Sequence, residues 1–222
     1  MISVLLAAYC GEAFIAEQVA SILPQLEPGD GLLISDDSPA GHTVLSFNDP
    51  RICYMAGPRQ GSTIKNVEFL LGQARGDILV LCDQDDVWLP GKLDKTRALL
   101  DPAKPELLVH AARLTDENLR EIGHSYARPG LLRNLLKNSY TGCCMAFTRA
   151  LLPYVLPFPG GIPMHDQWIG LRAERFGAVY FAHKPLLLWR RHGGTQTGRG
   201  GTLTQKIMWR WRMLRALYGR RT

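Results

Sequence analysis

The chain has 222 residues, of which 46% are hydrophobic, so it is long enough for one large domain with its own core. It has no run of 18 apolar residues and no basic region at its N-terminus, so we expect neither a transmembrane helix nor a signal peptide. Its five cysteines lack metal-ligand spacing and predict reduced, buried thiols in a cytosolic protein. They are Cys10, Cys53, Cys82, Cys143 and Cys144.

The net charge of +6 is unevenly distributed along the chain. Residues 1–174 contain all 20 acidic residues and 15 of the basic ones, a net charge of −5. Residues 175–222 contain 11 basic residues and no acidic one. A basic C-terminal region on an acidic body indicates a polyanionic partner, either a membrane surface or a nucleic acid.

The chain begins with the pattern strand, helix, strand. Ile2–Ala8 is an apolar run that predicts a strand, and apolar residues at helical spacing predict a helix over Glu12–Leu23. Leu32–Ser35 predicts a second strand, which the acidic pair Asp36 and Asp37 follows. This order implies a parallel pair of strands with a right-handed crossover. Taken alone, the acidic pair favours an ordinary turn at the end of the strand.

The next segment predicts a short connection, a strand and a helix. Residues 39–50 have prolines at both ends and predict a short loop or a single helical turn, followed by a strand over Ile52–Met55. Ser62 is the predicted cap of a helix that ends at Ala74. Lys65 and Asn66 fall in the first turn, where a diphosphate would meet positive charge and backbone N–H groups, although a solvated Lys65 is an equal alternative.

A short apolar run at Ile78–Cys82 predicts a buried central strand, and three carboxylates follow it in four positions. Carboxylates this close together repel one another unless something neutralises them. A divalent cation would do so and would hold a diphosphate at the sheet edge where α/β proteins bind ligands. The alternative is a solvated acidic turn that caps the next helix, with Pro90 in its first turn. The four positions are Asp83, Gln84, Asp85 and Asp86.

The middle of the chain continues the α/β pattern. Helices are predicted over Lys92–Leu100 and Leu131–Leu136, and a strand is predicted over Glu106–Ala112. Asp116–Gly130 is polar and lacks periodicity, so we expect an irregular surface loop there.

A further helix is predicted from Met164 to Phe176, with Gly177 as its C-terminal stop, followed by strands over Ala178–Ala182 and Leu186–Leu188. Asp166 lies in the first turn of this helix, where the helix dipole stabilises an ionised carboxylate. From the residues alone, a favourable interaction with the dipole is sufficient to explain Asp166.

The last segment, Leu203–Tyr218, predicts a helix with an apolar stripe between basic flanks, which is typical of a helix lying on an anionic membrane. A helix docked on the body of the protein is the alternative, and the two do not exclude each other. Nucleic-acid binding ranks third, because no recognised binding module accompanies the basic region. The stripe consists of Leu203, Ile207, Trp211, Leu214 and Tyr218, and the flanks consist of Lys206, Arg210, Arg212 and Arg215.

Six short motifs, in the same order, resemble those of family-2 glycosyltransferases with the GT-A fold, in the form of the rhamnosyltransferase-like enzymes. The resemblance covers residues 1–197, and the ordered set is far more specific than a lone Asp-x-Asp. Trp189 and Thr195 stand where the family pattern has Tyr and Asn, and neither change removes a ligand. The motifs are Ala8-Tyr9, Asp36-Asp37-Ser38, Asp83-Gln84-Asp85-Asp86, Thr141-Gly142-Cys143, His165-Asp166-Gln167-Trp168 and Trp189–Thr197, which contains His192.

The resemblance implies an α/β chain with the GT-A fold over residues 1–200. The fold would have a Rossmann-like, mostly parallel central sheet flanked by helices. Its nucleotide-binding half would span about 1–100 and its acceptor and sugar half about 101–200. A basic amphipathic C-terminal helix would occupy 201–222.

The same resemblance implies an inverting transfer of a sugar, with rhamnose as the leading choice. The donor would be a dTDP- or UDP-sugar, and the acceptor would be a glycan or a polyprenyl-linked hydroxyl in bacterial surface polysaccharide synthesis. The implied cofactor is Mn²⁺ or Mg²⁺. The implied location is cytoplasmic, on the inner face of the cell membrane, with membrane contact through 203–218 and no nucleic-acid partner.

Residue by residue, the resemblance implies Asp166 as the catalytic base, and Asp85, His192 and Asp83 as metal ligands. Asp37 would accept a hydrogen bond from the nucleotide base, a role for which a carboxylate is chemically suited. Gly142 would let the backbone approach the donor sugar closely. The implied nucleotide and donor contacts are Ala7, Tyr9, Asp36, Asp37, Lys65, Asn66, Asp83, Asp86 and Gly142.

Two other interpretations stay open from the sequence alone. A nucleotidyltransferase would carry a glycine-rich, basic phosphate loop after its first strand, which Tyr9–Glu12 does not supply. A non-catalytic relic that only binds a sugar or a nucleotide would be expected to have lost ligands, whereas Asp85, Asp166 and His192 are all present.

Overall fold

A computed structural model of the chain describes residues 1–39, 48–193 and 202–218. Within these ranges the strands join in one curled sheet with helices packed against it, which confirms the predicted α/β architecture. The predicted connection at 39–50 and the Trp189–Thr197 motif lie partly outside the described residues, at 40–47 and 194–197.

The strands of the described ranges are β1 Ile2–Ala8, β2 Gly31–Asp36, β3 Ile52–Ala56, β4 Ile78–Asp83, β5 Val87–Trp88, β6 Glu106–Thr115, β7 Glu121–Ser125, β8 Met145–Thr148 and β9 Ala178–Arg190. The helices are α1 Ile15–Ile22, α2 Thr63–Gln73, α3 Lys92–Leu99, α4 Leu131–Leu136, α5 Leu152–Val155, α6 His165–Phe176 and α7 Leu203–Tyr218.

The sheet has the strand order β3-β2-β1-β4-β8-β6-β9-β5, and β7 pairs with the C-terminal part of β6. β1 lies between β2 and β4 and runs parallel to both. In this register Ala8 is opposite Asp36, and Ala7 is opposite Asp83. The carboxyl ends of β2 and β4 therefore bring their acidic residues to the same edge of the sheet, with β1 between them.

The core lies along the central strands and the helices that cover them. Leu6 in β1, Leu79 in β4 and Phe147 in β8 are completely buried. Trp168 of α6 is also buried, and its indole N–H donates to the carbonyl of Val155 at 2.9 Å. Burying a large aromatic residue together with its polar atom is favourable because the N–H keeps a hydrogen-bond partner.

Two sequence predictions of secondary structure are wrong. The segment predicted as an irregular loop over Asp116–Gly130 contains β7, which pairs antiparallel with β6. The two strands predicted between Ala178 and Leu188 form one continuous strand, β9. Pro185 interrupts the apolar pattern of β9, but the register with β6 shifts on both sides of this residue, so the strand continues past it.

The cysteines are only partly as predicted. Cys82, Cys143 and Cys144 are buried free thiols, whereas Cys10 and Cys53 are exposed. Cys10 follows β1 in a tight turn with a φ of 49°, and Cys53 lies on the more exposed strand β3. The expectation of burial is therefore wrong for these two residues.

Helix α7 begins and ends where the sequence predicts. It packs on the body through Met213 and Leu217, as expected for the alternative of a docked C-terminal helix. The predicted stripe does not face the body, because its members are exposed. None of the helices in the described ranges is long and apolar enough to cross a membrane.

The predicted cap of α2 is confirmed, because the side chain of Ser62 accepts from the backbone N–H of Lys65. In the same turn, Asn66 is buried and ties β1 to β2. Its side-chain amide donates to the carbonyls of Ala8 at 3.3 Å and Ser35 at 3.0 Å, and its oxygen accepts from the Ser35 hydroxyl at 2.5 Å. Asn66 thus fixes the relative position of the two strand ends at the edge where the acidic residues lie.

We predict that Asn66→Ala lowers the free energy of unfolding by roughly 1–3 kcal/mol, because it leaves buried polar groups of β1 and β2 without a partner. The neighbouring substitution Lys65→Ala is the control. It removes an exposed side chain and should change the stability by less than about 0.5 kcal/mol. Urea unfolding of both variants measures the difference, and equal effects would contradict the structural role of Asn66.

Candidate active site

The acidic segment after β4 is attached to the turn after β1 by the side chain of Gln84. Its amide oxygen accepts from the backbone N–H of Tyr9 at 2.7 Å, and its amide nitrogen donates to the Tyr9 carbonyl at 2.9 Å. Gly11 allows this approach, because a side chain there would overlap the Gln84 amide. The predicted donor contacts Ala7 and Tyr9 are therefore close to the predicted metal ligands.

The carboxylates of the acidic segment differ in their surroundings. Asp86 is completely buried; its Oδ1 accepts from the backbone N–H of Arg190 at 3.1 Å, whereas its Oδ2 has no hydrogen-bond partner among the described residues. Burial, followed by the charges of Asp83 and Asp85, raises the pKa of Asp86 well above its usual range. Burial also raises the pKa of Asp83 to about 7, with smaller contributions from Asp85 and Asp166.

Lys92 is a buried cation behind these carboxylates. Its ammonium donates to the carbonyl of Cys143 at 2.8 Å and lies 4.1 Å from the centre of the Trp88 ring. Burial lowers the pKa of Lys92, while the negative charge of Asp86 acts in the opposite direction. Fully buried lysines are rare unless they are paired, and here the ammonium is held by the Cys143 carbonyl and the face of the Trp88 ring.

Arg190, at the end of β9, holds the acidic segment in place. Its guanidinium donates to the carbonyl of Asp85 at 2.9 Å and to that of Glu117 at 3.0 Å, and it forms an ion pair with Glu17 of α1. It also lies over the Phe14 ring, 4.8 Å from its centre. One side chain thus connects two other segments, the start of α1 and the loop before β7, to the loop that carries Asp85.

The structure brings together Asp85 and His192, the two residues predicted to bind the metal. The Nε2 atom of His192 lies 2.8 Å from Oδ2 of Asp85, and both side chains remain partly accessible. The Phe14 ring packs on the imidazole with its centre 4.7 Å away. An imidazole beside carboxylates is a donor set that suits Mn²⁺ and other divalent ions.

Asp83, Asp86 and Cys143 form a second group of possible ligand atoms, all within 4.8 Å of one another. The hydrogen bond that the Cys143 thiol donates to Cys144, together with burial, raises the pKa of Cys143, so its thiol stays protonated and is a poor ligand for a hard cation. The pair of Asp85 and His192 is partly accessible and combines a carboxylate with an imidazole, so it suits a divalent cation better than the buried group that contains a thiol.

Gly142 lies against His165 at the start of α6. A side-chain carbon added at Gly142 would lie 2.9 Å from Nε2 of His165, so any other residue there would require the imidazole to shift. Burial lowers the pKa of His165 to about 4, and the ring is therefore neutral near pH 7. The role of Gly142 as a wall for the donor sugar stays a prediction.

Asp166 follows His165 in the first turn of α6. Its Oδ1 accepts from the side-chain amide of Asn138 at 3.3 Å and from the backbone N–H of Gln167 at 2.6 Å. Burial raises the pKa of Asp166 to about 6. Its charge acts on Asp83, which places the predicted base at the same edge of the sheet as the acidic segment.

The acidic pair at the end of β2 is enclosed by the chain around it. Asp36 accepts from the Tyr54 hydroxyl at 2.6 Å and from the side chain of Ser38. The two oxygens of Asp37 accept from the backbone N–H groups of Gln60 and Ser62 at 3.2 Å each. Because a carboxylate oxygen has more than one lone pair, Asp37 keeps acceptor capacity for a nucleotide base.

The two residues predicted in the first turn of α2 make other contacts. Lys65 is half exposed and forms an ion pair with Glu68 at 2.7 Å. The side chain of Asn66 is hydrogen-bonded to β1 and β2. Their predicted contact with a diphosphate stays a prediction.

Sequence reasoning assigned no role to Gln84, Lys92, Asn138 or Arg190. Arg190 belongs to the Trp189–Thr197 motif, so a signal was available for it. Lys92 and Asn138 act on residues that lie 51 and 28 positions away. No local pattern marks contacts of this kind.

A model of the family "Glycosyl transferase family 2" matches residues 3–156. Among curated proteins, the chain is 26% identical over 164 residues to UDP-Glc:alpha-D-GlcNAc-diphosphoundecaprenol beta-1,3-glucosyltransferase WfgD of Escherichia coli. That match covers 71% of this chain and 64% of WfgD.

Two solved structures share the fold. S. aureus TarS 1–349 in complex with UDP-GlcNAc has a TM-score of 0.66 and 19% identity, covering 90% of this chain and 61% of that one. The mannosyltransferase PcManGT from Pyrobaculum calidifontis, in complex with GDP-Man and Mn²⁺, has a TM-score of 0.57 and 17% identity, covering 97% and 61%. The chain spans less than two thirds of the length of these three proteins.

We predict that Arg190→Lys lowers the free energy of unfolding by about 2–4 kcal/mol, because lysine cannot reach the three acceptors that the guanidinium holds together. Glu17→Gln is the control. Its side chain is half exposed, so losing this charge should cost less than about 1 kcal/mol. Chemical unfolding measures both variants, and a small loss for Arg190→Lys would show that the acidic loop does not depend on it.

Proposed function

We propose that this chain, which belongs to glycosyl transferase family 2, is an inverting enzyme that moves a sugar from a nucleoside diphosphate to an acceptor hydroxyl. One observation carries the proposal. Asp85 and His192 form a close pair at the sheet edge where the charge of Asp166, a carboxyl with a raised pKa, acts on Asp83. This edge combines a site for neutralising a leaving diphosphate with a base for activating a hydroxyl.

The donor half of the reaction requires stabilisation of the departing diphosphate. A divalent cation, Mn²⁺ or Mg²⁺, held by Asp85 and His192 with help from Asp83, would supply that stabilisation. The protein's own contribution is to fix these ligands. Arg190 holds the backbone of Asp85 and Gln84 holds the segment against Tyr9, so the ligands keep their positions.

The acceptor half of the reaction requires a base. Asn138 and the N–H of Gln167 both bind Oδ1 of Asp166, so Oδ2 is the oxygen that would take the proton from the acceptor hydroxyl. The oxygen freed of its proton would attack the anomeric carbon from the face opposite the diphosphate, and this attack inverts that centre. A pKa of about 6 suits a base that works near neutral pH.

The donor is a nucleoside diphosphate sugar. In this proposal Asp37 accepts from the N–H of a uracil or thymine base, and Asp36, held by Tyr54, supports it. WfgD is named for UDP-Glc, and TarS binds UDP-GlcNAc. These relatives support a UDP-sugar, whereas the sequence resemblance supports dTDP-rhamnose, so both belong in a test of the donor.

The proposed acceptor is a lipid-linked or growing glycan of bacterial surface polysaccharide synthesis. WfgD is named for an acceptor on diphosphoundecaprenol, which supports a lipid-linked acceptor for this chain as well. The proposed location is the cytoplasmic face of the cell membrane, with α7 in peripheral contact.

A turnover assay tests the proposed function. Nucleoside diphosphate release from UDP-glucose, UDP-GlcNAc, dTDP-rhamnose and GDP-mannose is measured with Mn²⁺ and a diphosphoundecaprenol-linked sugar. We expect turnover with at least one donor, and we expect Asp166→Asn to reduce kcat by on the order of 10² or more while donor binding persists. In the wild type, kcat should rise as the pH is raised through about 6, because Asp166 must lose its proton to act.

Two outcomes would count against the proposal. If none of these donors is turned over, the proposed transfer to a lipid-linked acceptor is wrong. If Asp166→Asn keeps near-normal turnover, the base lies elsewhere.

We further predict that Asp85→Ala and His192→Ala each abolish the dependence of nucleoside diphosphate binding on Mn²⁺, because each removes one member of the ligand pair. Isothermal calorimetry with and without the metal measures this dependence. Asp116→Ala is the control, since within the described residues the Asp116 side chain accepts from backbone N–H groups of its own loop near β7. Unchanged metal dependence in both ligand variants would refute the assignment of the site.

A further inference from the structure

We infer that α7 and the adjoining end of α4 form one surface that binds an anionic lipid bilayer and brings a lipid-linked acceptor to Asp166. We call it the α4–α7 surface; it consists of Leu132, Leu136, Ile207, Trp211, Leu214 and Tyr218. The part of the inference that concerns the acceptor rests on the proposed function, whereas bilayer binding can be tested without it.

The first observation is that α7 has two apolar faces. One face buries Met213 and Leu217 against the body. The other face carries residues at positions i, i+4, i+7 and i+11, which share one side of a helix. Ile207 and Trp211 are each 57% exposed, and Leu214 and Tyr218 are exposed as well. Docking on the body uses one apolar face of α7, so the second apolar face is available for another contact.

The second observation is that the docked position of α7 is fixed by polar contacts. The guanidinium of Arg210 donates twice to the carbonyl of Leu136, at 3.0 and 2.7 Å. Arg175 of α6 donates to the carbonyl of Leu217 at 2.6 Å and lies over the ring of Tyr218. With these contacts in place, the exposed face of α7 cannot turn towards the body without breaking them.

The third observation is that α4 extends the apolar area. Leu132 and Leu136 are 72% and 59% exposed and lie on one side of a short helix, which is anchored to the body by the buried residues Asn134 and Leu135. The contact between Arg210 and Leu136 places this end of α4 directly beside α7. Large apolar side chains gathered in this way mark an interaction site more often than scattered ones do.

Charge identifies the occupant as an anionic bilayer. Lys206, Arg212 and Arg215 are exposed on α7, and the chain contains no acidic residue from position 175 onwards. A second copy of the chain on this surface would place these cations against one another, which is unfavourable. Anionic head groups would attract them while the apolar side chains enter the interface, as in other helices that lie on membranes.

The α4–α7 surface is close to the catalytic base along the chain. Two residues after Leu136, the side chain of Asn138 donates to Asp166 at 3.3 Å. Gln167, next to Asp166, donates to the carbonyl of Asn134 in α4 at 2.7 Å. A bilayer bound to α4 and α7 would therefore lie near the side of the site from which the acceptor hydroxyl must reach Asp166.

Vesicle co-sedimentation tests the surface. The full chain should bind phosphatidylglycerol vesicles at least about tenfold more strongly than phosphatidylcholine vesicles, and salt should weaken the preference. Ile207→Glu and Leu136→Glu should each reduce binding to phosphatidylglycerol vesicles by about tenfold or more, because each places a charge in the apolar interface. Gln205→Glu is the matched control. It adds the same charge to α7 outside the apolar face and should change binding by less than about threefold.

Two results would overturn the inference. One is unchanged vesicle binding in both Ile207→Glu and Leu136→Glu. The other is a dimer in solution that Ile207→Glu dissociates, because the surface would then bind a second copy of the chain. Circular dichroism and thermal unfolding of each variant establish that a loss of binding does not come from a loss of folding.

A second measurement separates this inference from the proposed function. If the inference is right, Ile207→Glu reduces turnover of an acceptor embedded in vesicles but leaves turnover of the same sugar on a short, water-soluble carrier unchanged. If the wild type binds vesicles and turns over neither acceptor, the proposed function fails and the surface stands. An equal effect of Ile207→Glu on both acceptors would overturn the link between the surface and acceptor delivery.

Discussion

The negative charge at the carboxyl end of β4 is the constraint on which the rest of the site depends. Burial raises the pKa values of Asp83 and Asp86, and the charges of neighbouring carboxylates raise them further. Two buried cations pack around this strand end: Lys92 donates to the carbonyl of Cys143, and Arg190 from the last strand donates to the carbonyl of Asp85. Arg190 also binds Glu17 of α1 and the carbonyl of Glu117 in the loop before β7. The side chain that holds the acidic segment therefore also holds these two segments next to it.

This cluster of carboxylates destabilises the folded protein as the pH rises, but it also supplies the groups that would bind a cation. The pKa of Asp83 is raised from 3.8 to about 7, so between these values the folded chain binds a proton that the unfolded chain has lost. Stability from this group is therefore present at low pH and declines as the pH rises towards 7. Above that pH an ionised Asp83 faces Asp85, and a site that accumulates negative charge in this way is prepared to bind a cation.

The sequence predicted correctly the elements whose bounds are set by the apolar pattern of their own residues. β1 and α7 have the predicted bounds, and the pairing of Asp85 with His192 agrees with the motif order. The irregular parts were not predictable in this way. β9 continues past Pro185 because its register with β6 shifts there. β7 forms because the C-terminal part of β6 extends far enough to pair with it. Neither property is present in the segment itself.

The same distinction explains α7. Periodicity identified its exposed stripe correctly, but it could not reveal that Met213 and Leu217 form a second, narrower contact with the body. A helix with one apolar face must choose between docking and binding a partner, whereas α7 does both. Its docked face is held by Arg175 of α6, the helix whose first turn carries Asp166. The element that offers an apolar surface to the outside is thus attached to the element that supplies the base, and the two keep a fixed relation.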